Sequence, residues 1–254
     1  MKYRIKMIVS DLDGTLLNCE TVMSERTISV LEKCRKSGIK IAYATARGRS
    51  ADLVAPAKHF DGRVNMGGAV ASINNEIIYS RLIPFLTARP ILLACDKRGL
   101  RTASEYSGMH FSNFNVLELW PYIKYCEKVD FSLHDRDAEK LYAVIDDQSD
   151  ADFIRDQLNE DLHLHVSSDN LAMIMHRDAT KSKAVAVLAN HWNIEPSAIA
   201  AFGDDLNDID MLEYAGYGVA MENARDEVKA AADYSCPGND EDGVAEWILE
   251  NVKL

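Results

Sequence analysis

The sequence predicts an α/β fold, a parallel sheet with crossover helices, interrupted by a smaller α+β module. Three observations carry this. Short apolar runs rich in β-branched residues alternate with helical patterns over the first 60 or so residues, and the same alternation returns after residue 180. The stretch between them mixes hairpin, helix and strand signals with no such regularity.

Residues 5–9 form an apolar run that ends in Ser10-Asp11 and reads as a buried strand with a polar turn behind it. A helix follows over 24–37: Ser24-Glu25 is an N-terminal cap signal, Ile28, Leu31 and Cys34 share a face, and Gly38 stops the run. Residues 39–44 are a second buried strand, ending in Thr45-Ala46-Arg47-Gly48-Arg49. Within 70–79, Asn74-Asn75 between two apolar stretches signals a hairpin. The middle then predicts a helix over 88–98, strands over 141–145, 162–166 and 171–175, and a helix over 151–160. After it come a helix over 181–193, a strand over 199–202, a helix through 214, a strand over 217–221, a helix from 222 to 232 and a last helix over 243–251. The joints fall near 80–84 and 176–181, so the expected organisation is a discontinuous core, 1–82 with 179–254, around an inserted module, 83–178.

Composition narrows the function classes. With 47% hydrophobic and 27% charged residues the chain is an ordinary globular one. A net charge of −12 argues against nucleic acid as a partner, because binding a phosphate backbone needs a basic surface. The five cysteines show no Cys-x-x-Cys pair and are expected as free thiols. No apolar stretch approaches membrane-spanning length, and the run before Asp11 is too short for a signal-peptide core, so no membrane partner and a cytoplasmic location are expected.

Four elements carry chemistry. Asp11-Leu12-Asp13-Gly14-Thr15-Leu16 follows a buried strand directly, where side chains face the ligand crevice of a parallel sheet. Two carboxylates one residue apart can reach one site there, Asp13 through its side chain or its carbonyl, and Gly14 permits a tight turn. Thr45 ends the next strand, where a hydroxyl can bond a phosphate oxygen or cap a helix; Arg47 and Arg49 add cations suited to an oxyanion. Lys181, with Lys183 as its rival, opens a helix and could neutralise both a phosphoryl group and an aspartate, or lie on a solvated face. Gly203-Asp204-Asp205-Leu206-Asn207-Asp208 follows another apolar strand. Its three aspartates repel one another unless a cation is near, and oxygen donors without His or Cys suit a hard ion such as Mg2+.

In this order the four elements resemble the motifs of the haloacid dehalogenase superfamily of phosphohydrolases. The long insertion between the second and third is similar to that of the Cof-type branch, as is Gly218-Val219-Ala220-Met221-Glu222-Asn223-Ala224. Three departures stand out: Asn65-Met66-Gly67-Gly68-Ala69 where the branch has Asn-Gly-Ala, Ala46 after Thr45, and Ser182 after Lys181. The resemblance implies a Rossmann-like parallel-sheet core with an inserted α+β cap that acts as a lid, and a Mg2+-dependent phosphatase of small phosphorylated metabolites such as sugar phosphates. It implies Asp11 as nucleophile, Asp13 as general acid and base, and Thr45, Lys181 and Asn207 as phosphate-binding residues. Arg47 becomes a candidate substrate contact. The metal ligands would be Asp11, the backbone carbonyl of Asp13, Asp204 and Asp208, the last directly or through water. A phosphomutase sharing this pair of aspartates, and a silent phospho-ligand-binding regulator, are the alternatives. His110, Asn113, Glu118, His134 and Arg136 are the polar candidates of the cap, and His163 with His165 reads as one face of a strand.

Overall fold

The first strand, β1 (Met7–Ser10), is buried at all four positions, as expected of a strand covered on both faces. Helix α1 (Glu25–Lys36) begins where the Ser24 hydroxyl accepts the Thr27 N–H at 2.9 Å and presents Val30, Leu31 and Cys34 to the core. Then follow β2 (Lys40–Ala44), the one-turn α2 (Ala51–Val54) and β3 (Gly62–Asn65). Strands β4 (Val70–Ile73) and β5 (Glu76–Ser80) form the predicted hairpin; Asn74 and Asn75 take φ of 50° and 66°, the left-handed pair that a two-residue turn needs.

The chain continues through α3 (Phe85–Lys97), β6 (Arg101–Tyr106), β7 (Met109–Ser112), β8 (Cys126–Lys128), β9 (Lys140–Val144), α4 (Gln148–Arg155), β10 (Leu162–Val166) and β11 (Leu171–His176). It then runs through α5 (Lys181–His191), β12 (Ile199–Gly203), α6 (Ile209–Tyr214), β13 (Tyr217–Met221), α7 (Asp226–Ala231), β14 (Tyr234–Cys236) and α8 (Gly243–Asn251). This computed structural model describes residues 3–121, 123, 125–167 and 169–254. It divides into one unit of Met1–Ser80 with Thr180–Leu254, and another of Arg81–Ala179.

The first unit is built on an eight-stranded sheet in the order β14-β13-β12-β1-β2-β3-β4-β5, parallel from β14 to β3 and closed at one edge by the antiparallel hairpin. The chain runs outward from β1 in one direction through β2 and β3, and in the other through β12 to β14. That reversal opens a crevice at the carboxyl ends of the central strands. The second unit holds a six-stranded sheet, β10-β11-β9-β6-β7-β8, antiparallel except for the β7–β8 pair.

Three expectations need correction. The helix expected over 151–160 starts earlier, at Gln148, because the Asp147 carboxylate caps it by accepting the Ser149 N–H at 2.7 Å, and it stops at Arg155. The helix expected from 222 begins at Asp226, since 222–225 are spent in a turn that bonds back to Met221 and Asp204. Strands β3, β6, β7, β8 and β14 carry no clear apolar alternation and were not foreseen.

Candidate active site

Ser10 lies opposite both Tyr43 and Phe202, so the residues just past β1, β2 and β12 share one rim of the sheet. Asp11 leaves β1 with its N–H still bonded to the Phe202 carbonyl at 2.9 Å, which holds its carboxylate in the interior at 6% exposure. Lys181, the first residue of α5, is 1% exposed. Its Nζ stands 2.6 Å from Asp11 Oδ1, 2.5 Å from Asp208 Oδ1 and 3.4 Å from Asn207 Oδ1. Lys183, the rival the sequence offered, is exposed, and Lys181 is the lysine set beside Asp11 and Asp208.

Asp208 is wholly buried and fixes the acidic loop from within: Oδ2 accepts the N–H groups of Asp204 at 3.0 Å and Asp205 at 3.1 Å. This is one arm of a capping box that opens the turn leading into α6. A side chain at Gly203 would strike Asp208, which explains the glycine there. Asp204 accepts the Thr15 hydroxyl at 2.6 Å. Gly14, at φ +78°, lets the Asp13-Gly14 turn close over that carboxylate; a Cβ on it would collide with the Asp204 oxygens. Asn223 ties the turn down, donating from Nδ2 to the Gly14 carbonyl at 2.7 Å while its Oδ1 accepts the Asn239 N–H at 3.0 Å.

Oxygens of Asp11, Asp204 and Asp208 lie within 4.8 Å of one another. Burial lifts the Asp11 carboxyl well above the usual carboxylate range; Asp208 and Asp204 push the same way, and Lys181 pulls against them. Asp204 is pushed up to about 6, by burial and then by Asp208, against the Thr15 hydrogen bond. Burial disfavours the Lys181 ammonium, yet Asp11 and Asp208 hold its proton more tightly than usual. Three carboxylates around one ammonium leave negative charge uncompensated, and all-oxygen donors fit a hard divalent cation. Among the described residues these three are the one group of three or more His, Cys, Asp or Glu side chains close enough to share an ion.

The other predicted residues divide. Thr45 is buried at the end of β2, and its hydroxyl accepts the Arg47 N–H at 3.1 Å. It closes a turn rather than capping a helix, since α2 begins only at Ala51. Asp13 is half exposed, and both its oxygens are gripped by Arg47, from Nε and Nη2, each at 2.6 Å. Arg47, expected as a substrate contact, therefore has its guanidinium on Asp13. Arg49 is exposed. Asp205 is spent on the Leu206 N–H and on Arg225, each at 2.9 Å. Sequence reasoning gave no role to Thr15, Asn223, Arg225 or Asn239. Thr15 and Asn223 stand inside recognised motifs; Arg225 and Asn239 carried no signal.

In the second unit, His110 is buried with Nδ1 at 2.8 Å from the Tyr142 hydroxyl, and His134 is buried with Nε2 at 3.3 Å from Ser104 Oγ. Asn113 accepts the Thr102 N–H at 2.9 Å, and Arg136 covers the Phe111 ring. Glu118 is exposed, and His163 and His165 are partly buried in β10. All five cysteines are free thiols. Among the described residues no helix is long and apolar enough to cross a membrane.

Comparison with known proteins places the chain in a family. A family profile described as haloacid dehalogenase-like hydrolase matches residues 8–248. A Haemophilus influenzae protein provisionally named a phosphatase is 31% identical, covering 96% of this chain and 97% of its own. The Bacillus subtilis 5-amino-6-(5-phospho-D-ribitylamino)uracil phosphatase YcsE is 27% identical over 96% of each chain. The solved structure of the subclass IIB sugar phosphatase BT4131 superposes with a TM-score of 0.86 at 26% identity, covering 96% of this chain and 98% of that one. The extent of the profile match, together with relatives named as phosphatases along their full lengths, decides the matter: this chain belongs to the haloacid dehalogenase-like hydrolases, in their Cof-type branch, and is a phosphoric monoester hydrolase.

Proposed function

We propose that the chain is a Mg2+-dependent phosphatase of small phosphorylated metabolites, sugar phosphates or similar, working through an aspartyl-phosphate on Asp11. The observation that carries this reading is the buried Lys181, bridging Asp11 and Asp208 beside Asp204, with Asp13 two residues past Asp11. The sugar phosphatase BT4131 and the ribitylaminouracil-phosphate phosphatase YcsE favour a phosphorylated polyol or sugar as substrate.

An oxygen of Asp11 attacks phosphorus in line as the bond to the leaving oxygen breaks, and Asp13 gives that oxygen its proton. Asp13 then takes a proton from the water that attacks the acyl-phosphate, so free phosphate leaves and Asp11 is restored. Lys181, Thr45 and Asn207 hold the transferring group, Lys181 screening the charge of Asp11 from it. Asp11, the Asp13 carbonyl and Asp204 would hold Mg2+, with Asp208 behind them directly or through water; the ion would neutralise charge on the phosphoryl oxygens. Selection of the leaving group is assigned to the inserted unit, because the polar side chains gathered in the core are committed to phosphoryl chemistry. Asp11→Asn should abolish phosphate release from a phosphometabolite panel at saturating Mg2+. Substantial activity in that variant would sink the mechanism.

A further inference from the structure

The grip of Arg47 on Asp13 is built rather than incidental. The fork is bidentate, Nε to Oδ2 and Nη2 to Oδ1 at 2.6 Å each, the geometry in which a guanidinium fixes the plane of a carboxylate as well as its distance. Its base is fastened independently on both sides. The Arg47 N–H goes to the Thr45 hydroxyl at 3.1 Å, and its carbonyl accepts the Met66 N–H at 3.0 Å and the Asn65 amide at 3.3 Å. Asn65 also reaches the Gly48 carbonyl at 3.2 Å. The run Asn65-Met66-Gly67-Gly68-Ala69, which departs from the family pattern, thus has a local task. Met66, Gly67 and Gly68 take φ of 53°, 61° and 108°, turning the chain so that 65 and 66 hold the Arg47 backbone.

We infer that Arg47 is a positioning residue for the hydrolysis: its fork sets the plane of the Asp13 carboxylate, and the oxygen released from one arm of the fork carries the proton to the leaving oxygen along that plane. Asp13 is half exposed, and without the fork its side chain would spread over three staggered rotamers, leaving the productive one about a third of the time. The inference rests on the reading of Asp13 as general acid and base, and the experiment separates the two.

The rate constant kcat/KM is measured for a hexose 6-phosphate, whose leaving alkoxide needs a proton, and for p-nitrophenyl phosphate, whose leaving group needs little help. Wild type, Asp13→Asn, Arg47→Met, Arg47→Lys and the double variant Asp13→Asn/Arg47→Met are compared in Mg2+. Asp13→Asn is expected to lose at least about tenfold more on the sugar phosphate than on the aryl phosphate. Arg47→Met and Arg47→Lys should both show the same preference at about threefold, the factor set by three rotamer wells, because lysine keeps the charge but not the fork. The double variant should show no more selectivity than Asp13→Asn alone. Equal losses on both substrates in Arg47→Met, restored by Arg47→Lys, would make Arg47 an anion holder and overturn the inference. So would a selectivity of Arg47→Met that persists in full on top of Asp13→Asn. If Asp13→Asn itself loses equally on both substrates, the acid-base reading fails first and takes the inference with it.

Discussion

Replacing Lys181 by methionine removes an ammonium from between two buried carboxylates while keeping most of the side-chain volume. Both partners sit in the interior, Asp11 at 6% exposure and Asp208 at 0%, so neither can recover the lost interaction from water. Breaking a buried pair by deleting one member costs about 3–5 kcal/mol. For a chain of this size that corresponds to a fall in Tm of roughly 6–20 °C. The measurement is thermal unfolding by circular dichroism at pH 7.5 in chelator, since a divalent cation could stand in for the missing charge. Adding Asp11→Asn to Lys181→Met should recover part of the loss, because one of the stranded carboxylates is then neutral. Loss of one group aimed at developing charge should also cut kcat on the order of a hundredfold or more. A Tm within about 2 °C of wild type, in chelator, would refute the reasoning: the ammonium would not then be what allows these carboxylates to be buried.

Two further predictions concern the same cluster. Asp204 has its pKa raised in the folded state, so the native protein binds its proton more tightly than the unfolded chain. Asp204 should therefore contribute a stability that fades as pH rises from about 4 through about 6, seen as the difference between the metal-free wild type and Asp204→Asn, and Mg2+ should flatten that fade. Denaturant titrations of both proteins across this range, with and without the ion, check it, and a metal-free difference between them that does not change with pH would count against it. Gly14→Ala forces a side chain into φ +78° and against the Asp204 carboxylate, and should cost Mg2+ affinity and activity together, read from the Mg2+ dependence of phosphate release.

The sequence made the two acidic motifs legible because each follows an apolar strand directly, β1 or β12, and strand ends in a parallel sheet face the crevice. The choice between Lys181 and Lys183 was not legible. Two positions differ by about 200° around a helix, so everything depends on which face α5 turns inward. The Arg47–Asp13 fork joins residues 34 positions apart on different loops and leaves no local pattern. Strands β6 and β7 escaped notice because much of what they bury is polar. Thr102, Ser104, Glu105, His110 and Ser112 are all under 6% exposed, and the first four have partners the linear sequence cannot show, such as the Tyr142 carbonyl for Thr102. Apolar periodicity measures burial only where burial is apolar. The early start of α4 had a visible signal, Asp147, but the apolar pattern pulled the expected helix toward 151 instead.

The position of β1 bears on how the protein is made. Met7 pairs with Ile199, 192 positions later, so as the chain leaves the ribosome one edge of this apolar strand stays bare until β12 has been synthesised. At ordinary elongation rates of about 5–20 residues per second that interval lasts roughly 10–40 s. For most of it the nascent chain carries Asp11 and Asp13 without Lys181, and for all of it without Asp204, with an open strand edge able to pair with a neighbouring polysome product. Yield in cells should therefore respond to trigger-type chaperones and to slower initiation more than the stability of the finished enzyme would suggest.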